Sequence, residues 1–269
     1  MRYGIDVSHC QGYIDWSKLD KDIKFAILRT GYSYGVSYHD KQFTNNVHGC
    51  QAAGIEIYGV YHFSYATSVA EAKLEAKECI NRLTTAKLPS TTRVFFDFEY
   101  GGEEFCKKNG VTPNTDFVRA ITSAFCDEIR SAGYTPGVYL NVDYYDRMYK
   151  HVLPGGVVVW AAKWVNMKGN TVVPEFDTKT LTDTAIQPPF KFDIWQYGGR
   201  EIPGIGLVDA NVIFDDESVK MESPKKSNEE IAKEVIRGDW GNGAERMRRL
   251  EEAGYNYRAV QDIVNRMIT

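Results

Sequence analysis

Short apolar runs recur along the chain as far as residue 215, and each is followed by a polar or helically spaced segment. Residues 3–7, 25–30, 55–63, 93–100, 137–141, 157–164, 192–197 and 206–214 are rich in β-branched and aromatic side chains and are bounded by Gly, Pro or polar clusters, so they read as strands. Helices are predicted between the earlier ones. Asp15 is placed to cap a brief helix, Asp40 to cap a helix through Ala53 with Gly54 at its C′ position, and Ser68-x-x-Glu71 to open a long helix to about Leu83 as a capping box. Gly101 and Gly102 predict a loop, and Thr112-Pro113 a helix start with Pro at its first position, the helix stopping at Gly133. A short helix is expected after the fifth strand. After the sixth, residues 166–189 are polar and Pro-bearing and read as a long surface loop.

Repeated strand–helix units imply a parallel sheet covered by helices, and eight strands are enough to close a barrel. In such a barrel, side chains late in the strands meet at one rim. Asp6, Tyr61, Asp97, Glu99, Trp195 and Asp209 are assigned that position.

The strand containing Phe95-Phe96-Asp97-Phe98-Glu99 carries the most chemistry. Alternation puts Phe95, Asp97 and Glu99 on one face and Val94, Phe96, Phe98 and Tyr100 on the other. Carboxylates at i and i+2 of a strand sit about 6–7 Å apart. Mutual repulsion and aromatic burial both oppose a second ionisation, so one acid keeps its proton. A lone buried carboxylate more often caps a helix or pairs with Arg. Two on one sheet face instead suit a hydrolase with one proton donor and one charge stabiliser.

Residues 216–227 are polar, contain Pro224, Lys225 and Lys226, and read as a linker. Beyond them, 228–237, 244–253 and 257–268 predict three helices punctuated by Gly238, Gly241-Asn242-Gly243 and Gly254, with a core of Ile231, Val235, Met247, Leu250, Val260 and Val264. From residue 228 onward seven Lys and Arg face eight acids, a poor footprint for a DNA-binding helix-turn-helix. The whole 269-residue chain carries a net charge of −4, which argues against general affinity for nucleic acid or anionic lipid.

Five widely spaced cysteines (Cys10, Cys50, Cys79, Cys106, Cys126) lack a C-x-x-C pair and read as reduced thiols rather than a disulfide framework or zinc site. No metal and no cofactor is expected. His62 reads as a hydrogen-bonded structural histidine. The chain opens directly into its first strand without a basic and apolar leader, and no apolar run is long enough to span a bilayer, so a cytoplasmic product without membrane insertion is expected.

Gly4-Ile5-Asp6-Val7-Ser8, Tyr61-His62-Phe63, Phe96-Asp97-Phe98-Glu99, Trp160-Ala161-Ala162, Ile194-Trp195-Gln196-Tyr197 and Val208-Asp209-Ala210-Asn211 resemble, in order, the motifs of glycoside hydrolase family 25, the Chalaropsis-type lysozymes common among phage endolysins. Gly238-Asp239-Trp240-Gly241-Asn242-Gly243, Arg246, Arg249-Leu250, Gly254-Tyr255, Val260-Gln261 and Val264-Asn265 are similar to one copy of a cell-wall-binding repeat found in pneumococcal phage lysozymes. The resemblance implies an α/β fold: an irregular eight-stranded β/α barrel whose later strands lack helices (1–215), followed by the linker (216–227) and a small all-α three-helix module (228–269).

It also implies a muramidase cleaving the β-1,4 bond between N-acetylmuramic acid and N-acetylglucosamine. Glu99 would be the general acid, Asp97 would face the developing positive charge, and Asp6 and Asp209 would support them. Retaining and inverting geometries want different carboxyl separations, and the i, i+2 spacing does not choose between them. The family is thought to use the substrate's own 2-acetamido oxygen as nucleophile. Tyr32, Tyr61, Tyr139, Trp160, Lys163, Trp195, Gln196 and Tyr197 are the candidate substrate contacts, and Trp240, Arg246, Arg249, Tyr255 and Gln261 the candidate wall contacts. The implied partner is bacterial peptidoglycan, glycan strands and muropeptides, reached after release through a holin. An N-acetylglucosaminidase or chitinase-type enzyme and a non-catalytic carbohydrate-binding protein are the alternatives; for the module, a dimerisation element competes, which leaves self-association open.

Overall fold

The inward-facing residues of the strands follow one rule, apolar at one end and polar at the other. On β2 (Ile23–Ser33), Phe25 and Ile27 precede Arg29; on β5 (Arg93–Asp97), Phe95 precedes Asp97; on β8 (Ile194–Ile202), Ile194 precedes Gln196. The order reverses on β9 (Gly206–Ile213), where Asp209 and Asn211 come before Ile213. A strand reading backwards in this way must run backwards if its polar end is to meet the others. In the computed structural model, which describes residues 1–34, 37–150, 152–165, 178–215, 227–253 and 255–268, it does.

The remaining strands are β1 (Arg2–Val7), β3 (Ser37–His39), β4 (Glu56–Phe63), β6 (Thr135–Asn141) and β7 (Val158–Ala162). The sheet order is β1-β9-β8-β7-β6-β5-β4-β2-β3, and a further parallel pairing of β1 with β2 closes eight strands into a barrel. β3 is a short antiparallel appendage on β2. β9 pairs antiparallel with both β8 and β1, which corrects the wholly parallel expectation. The reason is the connection. Only residues 203–205 join β8 to β9, and so short a link permits only a hairpin. Gly204 (φ 87°) and Gly206 (φ 88°) take the left-handed backbone that the turn needs.

Phe25, Ile27, Phe95, Trp160, Ile194 and Ile213 fill the barrel interior, while a larger core lies between the strands' outer faces and the helices. Phe95 is seated by absent side chains: a methyl on Gly59 would lie 2.6 Å from its ring, and one on Gly137, from the strand on the other side, would strike it too.

The helices are α1 (Phe43–Ala53), α2 (Val69–Thr85), α3 (Tyr100–Lys108), α4 (Thr115–Ser131), single turns α5 (Val142–Tyr144) and α6 (Thr178–Leu181), and α7–α9 below. Gly54 (φ 69°) ends α1, and Ser68 Oγ accepts from the Glu71 N–H at the start of α2, as predicted. The Glu71 carboxylate closes the cap on Thr67 N (2.6 Å) rather than on Ser68. Three starts differ from expectation. α1 begins after Gln42, although Asp40, fully buried, still caps the turn that leads into it: its Oδ1 accepts from Gln42 N–H (3.0 Å) and its carbonyl from Phe43 N–H (3.1 Å). α4 is capped by Asn114, whose Oδ1 accepts from Phe117 N (2.9 Å), and Pro113 lies ahead of it. Gly101 and Gly102 are helical, not loop: Gly102 lets α3 close on Phe98 and the Ser64 carbonyl, where a methyl would come within 2.7 Å of each. Residues 166–177, in the expected loop, lie outside the described residues, as does the linker apart from Ser227.

In the C-terminal segment α7 (Asn228–Arg237), α8 (Gly243–Glu252) and α9 (Tyr257–Ile268) pack around Ile231, Ala232, Val235, Leu250, Val260 and Val264. A full capping box between Ser227 and Glu230 starts α7, and Gly238 (φ 91°) ends it. Met247, expected in this core, is 42% exposed. It lies one turn before Leu250, at the margin of this core rather than in it.

Candidate active site

Strand pairing alone brings two acids together. Asp6 on β1 and Asp209 on β9 are direct partners across the antiparallel pair, so their side chains share the inner face. Asp97 ends β5, which is separated from β1 around the other side by two strands, β2 and β4. Glu99 is not on the strand: pairing stops at Asp97, and Glu99 is the extended residue that precedes the first turn of α3. All four carboxyls line one cavity of about 240 Å³, with Arg29, Tyr61, Tyr139, Trp160 and Gln196.

Amide side chains organise the floor. Asn211 Nδ2 (2.7 Å) and Gln196 Nε2 (3.0 Å) both donate to Asp6 Oδ2. Trp160 Nε1 orients Asn211 through its Oδ1 (2.7 Å), and Gln196 Oε1 accepts from Tyr139 OH (3.0 Å) and Trp164 Nε1 (3.1 Å). Each amide therefore presents its N–H to the carboxylate because a ring N–H or hydroxyl occupies its carbonyl. Asp97 Oδ1 is buried without a hydrogen-bond partner, although Asp97 lines a polar cavity.

Burial is the largest influence on every acid here. It lifts the Glu99 carboxyl to about 7, with the Asp209 charge adding to it, and lifts Asp209 to about 6. Asp6 is raised by burial and Asp209 against the two amide donors. Asp97 is raised by burial, then by Glu99 and Asp6, with Arg29 opposing. At neutral pH the cavity thus retains protons that separated carboxyls would have lost.

Of the substrate contacts predicted from sequence, Tyr61, Tyr139, Trp160 and Gln196 line the cavity. Trp195 and Tyr197 do not. They flank Gln196 on β8, and alternation turns them outward when Gln196 turns in. Both are fully buried in the outer core, where Trp195 Nε1 donates to the Lys163 carbonyl (2.8 Å). Lys163 is also directed elsewhere, its Nζ donating to Gln187 O (2.8 Å). Tyr32 stacks on Tyr38 with centroids 5.0 Å apart, outside the cavity. The rim expectation also changes for Asp209, which lies in the first half of a strand running the other way. Arg29, Asn211 and Trp164 were missed. Arg29 was legible as a lone charge in Phe25-Ala26-Ile27-Leu28-Arg29-Thr30, and Asn211 as the i+2 neighbour of Asp209.

His62 is fully buried, bonds Ser33 Oγ (3.1 Å), and is pushed down to about 3 by burial, which keeps it neutral. All five cysteines are free; Cys10 alone is exposed and lines the cavity mouth.

In the helical segment Arg246 and Gln261 are joined (3.2 Å), and Arg246 also donates to Gly241 O (3.0 Å) and Asn242 Oδ1 (2.9 Å). Trp240 and Tyr255 pack edge-on, and Trp240 Nε1 donates to Glu234 (2.9 Å), so both rings belong to the core margin. Arg249 is exposed.

Residues 5–204 match the family model of Glycosyl hydrolases family 25, and residues 229–268 match the CW_7 repeat. The chain is 27% identical to the lysozyme of Streptococcus phage Cp-7 over 97% of its own length and 68% of the relative's. Among solved structures it is similar to the catalytic domain of endolysin ply40 from bacteriophage P40 of Listeria monocytogenes (TM-score 0.62, 19% identity, 80% of this chain and 94% of that one). It is also similar to the modular autolysin LytC from Streptococcus pneumoniae, solved with a synthetic peptidoglycan ligand (TM-score 0.60, 25% identity, 79% and 46%).

Proposed function

The chain belongs to glycosyl hydrolases family 25, and from that premise we propose that its barrel cleaves the β-1,4 bond between N-acetylmuramic acid and N-acetylglucosamine of bacterial peptidoglycan, with Glu99 as the general acid. The observation that carries the residue assignment is the Glu99 carboxyl, lifted to about 7 at the edge of a cavity that holds three other acids. An acid with that pKa is still protonated near neutrality, yet gives its proton up readily to a leaving glycosidic oxygen.

As the bond breaks, positive charge develops at the anomeric carbon. Asp97 faces it from the end of β5 among the residues that line the cavity, where its carboxylate would accept the N–H of the muramic acid's 2-acetamido group. That contact would turn the acetamido oxygen toward the anomeric carbon as the internal nucleophile. Glu99, now ionised, would then draw a proton from the water that opens the intermediate. Asp6, locked by Asn211 and Gln196, and Asp209 add negative potential beneath the sugar. Tyr61, Tyr139 and Trp160 shape the pocket around the ring. Inverted product stereochemistry would remove the acetamido step.

The helical segment holds the enzyme to the wall. Of its candidate contacts, Arg246 and Gln261 form one hydrogen-bonded unit and Arg249 is exposed, which favours them over Trp240 and Tyr255 as contacts with muropeptides. Reaching the wall from the cytoplasm would require a holin.

The deciding experiment is mass spectrometry of reduced fragments from purified peptidoglycan digested by wild type and by Glu99→Gln. Reduced muramic acid termini from wild type alone support the reading. Reduced glucosamine termini would instead make the enzyme an N-acetylglucosaminidase, and fragments from both proteins would take the acid role away from Glu99.

A further inference from the structure

Four carboxyls share the cavity, and Arg29 is the one cation among the described residues that line it. Its position is fixed rather than sampled. The guanidinium is 12% exposed, and its Nε donates to Asp40 Oδ2 at 2.8 Å. Asp40 is itself 0% exposed and held by two backbone groups from different parts of the chain: His9 N–H donates to Oδ2 (3.0 Å) and Gln42 N–H to Oδ1 (3.0 Å). The His9 ring closes the arrangement, with Nδ1 3.1 Å from Asp40 Oδ2 and in contact with Arg29 Nη2. The Tyr32 ring lies 5.7 Å from the guanidinium carbon.

Burying an ion pair is a poor way to stabilise a barrel, because desolvation cancels much of the attraction. An apolar residue at position 29 would continue the column begun by Phe25 and Ile27. What Arg29 supplies instead is a positive charge at a set place over the acids, held by an anchor that lies outside the cavity.

We propose that Arg29, anchored by Asp40, is a positioning residue that holds the negative charge of the cavity on Asp97 and so leaves the proton on Glu99. The inference takes the roles of these two acids from the glycosidase reading, but its geometry is independent of that reading. Arg29 stands unequally to the pair: it is level with Tyr61 on β4, which is level with Phe95 on β5, so it meets the strand that Asp97 ends, whereas Glu99 lies past that strand at the start of α3. Accordingly it opposes the upward shift of Asp97 and has no resolved influence on Glu99. The other groups facing Asp97 are Glu99, Asp6, Tyr61, Tyr65, Tyr139 and Tyr149; those facing Arg29 are Asp40, His9, Cys10, Tyr32, Tyr61, His62 and Tyr65. Of these, only Arg29 favours a charged Asp97.

Two measurements test this on the full chain. The first is kcat and KM against pH, on soluble peptidoglycan fragments, for wild type, Arg29→Gln, Arg29→Lys and Asp40→Asn. In Arg29→Gln the acidic limb, which reports Asp97, moves up by about one pH unit, and kcat at the wild-type optimum falls about tenfold, with KM little changed. The alkaline limb, which reports Glu99, stays in place. Arg29→Lys restores the acidic limb, and Asp40→Asn moves it in the same direction as Arg29→Gln by a smaller amount. A loss of kcat with both limbs unmoved would overturn the proposal and leave Arg29 a structural residue.

The second measurement is carboxyl ¹³C NMR titration of Asp97 in wild type and Arg29→Lys or Arg29→Gln, whichever folds. A midpoint raised in the Gln variant and near wild type in the Lys variant supports the proposal; an unmoved midpoint in the Gln variant, or a raised one in the Lys variant, overturns it. This readout needs no activity. A wild type that cleaves nothing, with a midpoint that shifts as described, would therefore defeat the glycosidase reading and leave the charge assignment standing.

Discussion

Asp6 and Asp209 stand directly opposite each other on adjacent antiparallel strands, two like charges in the one arrangement a sheet tolerates least. The pair persists because Asn211 and Gln196 satisfy Asp6 and because burial keeps the acids from ionising together. Asp209 also raises Glu99. In Asp209→Asn that negative neighbour is gone, Glu99 ionises at lower pH, and the alkaline limb of the kcat profile moves down by about half a unit to one unit. A pH–rate profile of the variant checks it.

Glu99 should also weaken the fold above its unfolded pKa. Its folded pKa of about 7 exceeds the ordinary 4.5, so the unfolded chain releases this proton first. Stability is therefore full below about pH 4.5 and declines as pH rises toward 7, by about 3 kcal/mol in total. Glu99→Gln removes the decline. Thermal unfolding should show the variant more stable than wild type at pH 8 and equal to it at pH 4.

Trp164 offers an indole face 43% exposed beside the cavity while its Nε1 is tied to Gln196. Trp164→Phe keeps a stacking face and frees Gln196 Oε1; Trp164→Ala removes both. If the ring carries sugar, Trp164→Ala raises KM about tenfold, worth about 1.4 kcal/mol, while Trp164→Phe stays near wild type. Equal KM values for the two variants would confine the residue to holding Gln196.

Gly59→Ala drives a methyl to within 2.6 Å of the Phe95 ring, which cannot retreat because Gly137 receives its other edge. Overpacking of this kind costs about 1–3 kcal/mol. Denaturant unfolding should record that loss, and Phe95→Leu in the same chain should recover part of it.

Within the helical segment, Leu250 is fully buried and Met247 is 42% exposed, three residues apart on one helix. Leu250→Ala should cost about 2–5 kcal/mol, and Met247→Ala less than about 0.5 kcal/mol. Hydrogen exchange of the α9 amides distinguishes the two.

These contrasts mark what was legible. The three C-terminal helices could be bounded almost to the residue because Gly238, Gly241 and Gly243 are local signals that act where they stand. The barrel and its four acids were legible through ordered motifs. What escaped depends on contacts distant in sequence. Asp40 reads as a cap, and does accept from Gln42 N–H, but its hold on Arg29 and His9 depends on two other elements; Gly102 looks like a loop residue until Phe98 and Ser64 demand its missing side chain. Trp195 and Tyr197 were misplaced for a simpler reason: a contiguous motif was read whole, although only every second strand residue can face one way. The reversed polarity of β9 is visible in the order Asp209, Asn211, Ile213, although strand propensity alone predicts only another forward strand.

Phe25 and Phe95, set among glycines, stopper the barrel at the end away from the acids. The vessel is closed at the bottom, so nothing threads through it: substrate enters and products leave by the same mouth. Whatever part of a long polymer exceeds the depth of the cavity therefore stays outside that mouth, so the cavity sees only the few sugars next to the bond that breaks.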